Sequence, residues 1–196
     1  NGWNYFDGRL KLNDFIKKNE NIEKLNSKLF RKKILNNSKS NFLVVREQGV
    51  GDEILYGSMY GDLLKNVENI TIECDPRLLS LFKRSFPEKS NNFVDLGSIS
   101  NKDIELEKID YVLYAGSLGK YYRRNLKNFT NAPYLKINEK KYEEMQNKLI
   151  KYKNKNNIGI SWKSFNNRYS SDKSLDLDNF KDIFKLPNCN VFNLQY

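Results

Sequence analysis

The segment Phe42-Leu43-Val44-Val45, followed by Arg46-Glu47-Gln48-Gly49-Val50-Gly51-Asp52-Glu53, constrains the fold more than any other stretch of the chain. Four consecutive apolar residues show no in-out alternation, the pattern of a strand buried on both faces of a parallel sheet. A strand is expected over Asn41 to Val45. Two glycines then mark a sharp turn, and Asp52 is expected to open a helix carrying Ile54, Leu55, Met59, Leu63 and Leu64. The order is strand, glycine-rich turn, helix.

The same order recurs. Ile70 to Cys74 reads as a strand, and Asp75-Pro76 as a helix cap with proline in the first turn. Leu78, Leu79, Leu81 and Phe82 form the buried side of that helix. A short third strand is expected near Asn92 to Leu96 and a fourth over Tyr111 to Ala115, the last ending at Gly116-Ser117-Leu118-Gly119. Such alternation predicts an α/β fold with a Rossmann-like, mostly parallel sheet and right-handed crossovers. Ligands of such sheets sit at the carboxyl edge, where both glycine-bearing turns fall.

Outside this core, residues 3 to 30 read as helical, with Phe15, Ile16, Leu25, Leu29 and Phe30 at helix-like spacings around a break at Asn19 to Asn21. After Asn131-Ala132-Pro133 a charged helix is expected over Glu139 to Tyr152. The Asn-Lys run 153–157 reads as a linker. A fresh strand, Ile158 to Trp162, then a polar loop to Ser174, a helix over Asp178 to Phe184 and a strand over Asn190 to Leu194 read as the opening of a second α/β domain. The expected organisation is a helical lead-in (1–30), an N-terminal Rossmann-like domain (31–152), a linker (153–157) and the beginning of another domain (158–196). The first residue is not methionine and Asn1-Gly2-Trp3 resembles no signal peptide, so the chain is expected to begin and end inside a longer protein.

Composition narrows the chemistry. The formal charge is +10, but the cations are interleaved with acids or diluted by asparagine, and no nucleic-acid-binding motif gathers them. No nucleic-acid partner is expected, although local basic clefts for a phosphorylated ligand fit the charge. With no histidine in the chain, Ser-His-Asp and Cys-His pairs, HExxH zinc sites and every histidine base are excluded. Acid-base work falls to carboxylates, lysine or tyrosine. Cys74 and Cys189 lie far apart without metal-ligand spacing, and a reduced, cytoplasmic chain without a metal site is expected. No apolar stretch approaches the ~20 residues of a membrane span; peripheral membrane contact stays open.

Glu47 to Asp52 could hold an anion at a helix N-terminus. A dinucleotide fingerprint would use Gly49 and Gly51 as its first glycines and Glu73 as the ribose acid, but Ile54 occupies the third glycine position and Asp52 puts a carboxylate where a pyrophosphate would sit. Asp52 can equally be a plain helix N-cap, worth about 1 kcal/mol.

Glu47 to Leu64, EQGVGDEILYGSMYGDLL, resembles the EQGLGD-type signature of heptosyltransferase-like (glycosyltransferase family 9-like) enzymes of the GT-B fold, especially those that follow tetratricopeptide repeats in one polypeptide. Gly2 to Leu12, GWNYFDGRLKL, is similar to the helix that closes the repeats in such proteins. GISWKSFNN (Gly159 to Asn167), DKSLDLDNF (Asp172 to Phe180) and VFNLQY (Val191 to Tyr196) resemble the first strand, loop, helix and second strand of the family's nucleotide-binding domain.

The resemblance implies an inverting, metal-independent glycosyltransferase with no cofactor beyond a nucleotide-sugar donor as substrate. Asp52 would take the proton from an acceptor hydroxyl. Gly49 and Gly51 would allow the substrate close approach, and Gln48 would offer hydrogen bonds at the rim. Lys173 would meet the donor's phosphates, helped on the donor side by Ser161 and Lys163, although it reads equally as a surface lysine beside Asp172, whereas Trp162 reads as packing. The acceptor would be a glycan, a lipid-linked saccharide or a protein. The base- and ribose-binding elements of the family fall beyond Tyr196, so the chain is expected to be inactive alone. The alternative is a noncatalytic binding or scaffold module with a degenerate GT-B fold attached to helical repeats.

Overall fold

The structure is a computed structural model that describes residues 2–11, 22–31, 35, 39–47, 49–95, 105–130, 132–164 and 173–195. The chain divides into two compact units, Asn1–Ile137 and Asn138–Tyr196. This division lies ahead of the 153–157 run.

The first unit is a Rossmann-like α/β structure. Its sheet holds β1 (Phe42–Val45), β2 (Ile70–Cys74), β3 (Phe93–Asp95) and β4 (Tyr111–Tyr114), in the order β3-β2-β1-β4. Every pairing is parallel; Phe42 lies opposite Ile70 on one side and Tyr111 on the other. All four residues of β1 are buried. Phe42 and Val44 join the core on one face with Tyr60, Ile72, Phe82 and Phe93, while Leu43 and Val45 join a smaller cluster on the opposite face with Leu10, Leu25, Val112 and Tyr114. The unbroken apolar run therefore has a physical cause: each side chain along it meets protein, and each fully buried Leu or Phe contributes about 1.5–3 kcal/mol.

The larger face is covered by α3 (Val50–Gly57), α4 (Tyr60–Asn66) and α5 (Pro76–Ser85). The start of α5 follows its sequence closely: the Asp75 carboxylate accepts from Arg77 N–H at 3.0 Å, and Pro76 occupies the first helical position, where no N–H is needed. The smaller face is closed from the leading residues. Leading into it, α1 (Trp3–Phe6), whose Phe6 packs against the larger cluster, runs into a 3-10 turn, Asp7–Lys11, and α2 (Ile22–Ser27) follows. Leu10 and Leu25 are core residues, and Leu29 bridges Val112 in parallel beside β4. Described residues 2–11 and 22–30 thus complete the first unit. Phe15, Ile16 and the Asn19 to Asn21 break lie outside the described residues.

The second unit starts with α7 (Glu139–Leu149), whose first turn is capped by the Asn138 side chain accepting from Lys141 N–H. β5 (Asn156–Ile160) and β6 (Cys189–Asn193) pair in parallel. β5 begins two residues ahead of the expected Ile158, inside the run read as a linker. Between them come a 3-10 turn, Leu177–Phe180, and α8 (Lys181–Phe184), in place of one continuous helix. Tyr152 meets Phe192 edge-on with ring centroids 5.0 Å apart.

Candidate functional site

In the order β3-β2-β1-β4 the chain leaves β1 toward β2 on one side and returns on the other side at β4, so the switch point of the sheet lies between the carboxyl ends of β1 and β4. The turn Arg46 to Asp52 follows β1. The 3-10 turn Ala115–Leu118 and then α6 (Gly119–Tyr122) follow β4.

Most acidic groups of the first turn serve structure. The Glu47 side chain is 1% exposed and receives the Arg9 guanidinium as a fork, Nε to Oε2 at 2.9 Å and Nη2 to Oε1 at 2.5 Å. Oε1 also accepts from Gly116 N–H at 2.5 Å. Arg9 further donates to Ser117 Oγ at 3.1 Å, and the Ser117 hydroxyl donates to Asp7 at 2.6 Å. Lys120 reaches the other Asp7 oxygen, also at 2.6 Å. Partial burial pushes the Asp7 pKa up, but the hydrogen bonds from Lys120 and Ser117 outweigh it and hold the carboxyl below its usual range.

Glu53 is fully buried. Its Oε2 accepts from Asp75 N–H at 2.9 Å, and Arg46 Nε lies 3.0 Å from Oε1 as an ion pair without hydrogen-bond alignment. Burial raises its pKa against those two stabilising partners. Glu73, the ribose acid of the rejected dinucleotide pattern, is buried in β2 and accepts from Arg46 N–H at 3.2 Å; burial pushes its carboxyl up to about 7. Asp75 is held well below the ordinary carboxylate range, chiefly by the hydrogen bond from the Arg77 side chain.

Asp52 is different. The helix opens at Val50 with Gly49 as its N-cap residue, so Asp52 is the third helical residue rather than the cap. Its Oδ2 accepts from Gly49 N–H at 3.1 Å, and the residue is partly exposed. The two glycines are not demanded by backbone strain, as the sharp-turn expectation held. Gly49 is extended (φ -110°, ψ 174°) and no described glycine has positive φ. Among the described residues, a Cβ at Gly51 would meet nothing within 4 Å, and one at Gly49 would meet Asp52 Oδ2 at 3.6 Å. Gln48 falls outside the described residues.

In the second unit, Ser161 and Lys163 follow β5 and are exposed. The Gln195 side chain, just past β6, accepts from Trp162 and Lys163 N–H at 3.2 and 2.9 Å and donates to Lys163 O at 3.0 Å. Ser161 Oγ is 3.5 Å from the same Gln195 oxygen. Ser164 N–H donates to Ser174 Oγ, and Leu175 N–H to Trp162 O. These bonds draw the segments 161–164 and 173–175 together at the carboxyl edge of β5 and β6, with Lys173 exposed beside them. Asp172 lies outside the described residues.

Sequence reading assigned no role to Arg9, Glu47, Ser117 or Gln195. Arg9, Glu47 and Gln195 lie in the motifs that carry the resemblance; Ser117 lies in the glycine-bearing turn after β4. Among the described residues no helix is long and apolar enough to cross a membrane. Comparison with protein-family models, with curated proteins and with solved structures finds no match for this chain.

Proposed function

We propose that the chain belongs to a glycosyltransferase that moves a sugar from a nucleotide-sugar donor to a hydroxyl acceptor with inversion, without a metal or further cofactor. One observation carries the reading. Of the described carboxylates from the turn after β1 into the start of α3, Glu47 and Glu53 are buried and ion-paired, whereas Asp52 is partly exposed.

Asp52 takes the proton of the acceptor hydroxyl as its oxygen attacks the anomeric carbon. The bond from that carbon to the diphosphate breaks on the opposite side, and the nucleoside diphosphate leaves with the electron pair. Lys173 and Lys163 supply positive charge for the departing phosphates, with Ser161 as a hydrogen-bonding neighbour. The acceptor is a glycan, a lipid-linked saccharide or a protein, the parent fold is GT-B preceded by helical repeats, and the compartment is the cytoplasm, where Cys74 and Cys189 stay as the free thiols observed. Nucleic acid is not a partner in this reading.

The alternative, a noncatalytic binding module, draws support from Arg9 and Asp7, which occupy the edge between the turns after β1 and β4. Titration of the whole protein with nucleoside diphosphates separates the two. The transferase reading predicts saturable binding that competes with a nucleotide sugar and weakens about tenfold or more in Lys173→Ala. No binding, together with no transfer from any nucleotide sugar, favours the module.

A further inference from the structure

We infer that Arg9 is a positioning residue for the turn that carries Asp52, an inference that rests on the reading of Asp52 as the base. Arg9 reaches that turn by two routes. Its fork occupies both oxygens of Glu47, five residues before Asp52, and Glu47 Oε1 in turn holds Gly116 N–H, so one buried carboxylate ties the turn after β1 to the turn after β4. The approach is close enough that a Cβ at Gly116 would lie 2.5 Å from Glu47 Oε1 and 2.9 Å from Arg9 Nη2. The second route runs through aromatic rings. The guanidinium lies 4.2 Å from the centroid of the Phe6 ring, and Phe6 meets Tyr56 edge-on at 6.5 Å, one helical turn beyond Asp52. Leading residues thus grip α3 both at its entry and along its side.

The Glu47 side chain is almost without water and depends on Arg9 for its charge balance. Without the fork, Glu47 is left as a buried carboxylate with no cation against it and turns outward. That change releases Gly116 N–H and lets the turn after β1 shift, and a displacement of about 1 Å at a reacting group is enough to slow chemistry about 100-fold. Arg9 itself touches no substrate in this scheme. Its loss is therefore expected in kcat and not in the KM for a donor bound through the second unit.

Hydrogen exchange and kinetics on the whole protein test this together, in Arg9→Met and in Arg9→Lys, which keeps the charge and stem but not the fork. The expected result is exchange about tenfold faster at the amides of 46–52 and 115–119, with β2 amides unchanged, and a kcat lowered about tenfold or more at constant donor KM. Unchanged exchange in both turns of a folded variant overturns the inference, whatever the activity. If the wild-type protein transfers no sugar, the transferase reading falls, and the exchange rates still decide whether Arg9 positions the turn.

Discussion

Glu73 shows at the scale of one residue how burial sets a measurable property. Its carboxyl sits inside β2 and is raised from 4.5 to about 7, first by desolvation. Folding therefore favours the protonated form. The stability linked to it is complete below about pH 4.5 and is lost as pH rises through about 7. Glu73→Gln keeps an oxygen for Arg46 N–H and removes the titration, so denaturation midpoints of the two proteins should diverge between pH 4.5 and 8, with wild type losing roughly 2–3 kcal/mol relative to the variant. Parallel curves would show that Glu73 does not titrate in that window. The sequence named Glu73 only as a ribose acid in a pattern it then rejected, because strand position was legible and the backbone amide it would meet was not. For the same reason Asp52 was recognisable as a helix-start acid while its place in the first turn was not: cap and third residue differ in backbone conformation, which two flanking glycines leave open.

At the scale of elements, the strands were legible wherever local pattern decides them. β2 spans the expected residues, β1 and β4 differ by one residue at an end, and α5 starts at the expected Asp75-Pro76. Long-range pairing was not legible. Arg9 and Glu47 are 38 residues apart and Arg9 and Ser117 are 108 apart, distances over which periodicity carries no information. Leading residues read as a separate helical segment consequently turned out to pack against the sheet. The join between α1 and α6 is tight enough to test: a Cβ at Gly119 would run into ring carbons of Trp3. Gly119→Ala should displace Trp3 and lower stability by roughly 1–3 kcal/mol, the usual range for overpacking. Trp3 emission, read in a Trp162→Phe background because the chain has two tryptophans, should shift to longer wavelength. An unchanged melting temperature together with unchanged emission would contradict this packing.

At the scale of the whole molecule, the two units differ in how much core they build. The first encloses its central strand on both faces. In the second, Ile160 is the buried hydrophobic residue among those described, and Leu175, Leu177, Phe184 and Leu194 are exposed. The sequence distinguished the units because each begins a strand-turn-helix pattern; it placed α7 with the first domain on the strength of the Asn-Lys run that follows it, and the compact units divide at Asn138, ahead of α7. In the first unit, the buried and paired carboxylates Glu47 and Glu53 organise the sheet edge, and in the proposed reading the chemistry falls to the partly exposed Asp52. Asp52→Asn in the whole protein tests that division of labour most directly, because asparagine preserves the shape and can still accept from Gly49 N–H but cannot take up a proton. The predicted result is a kcat lowered by about 10²–10⁴ with donor binding and folding unchanged; transfer at the wild-type rate would contradict it.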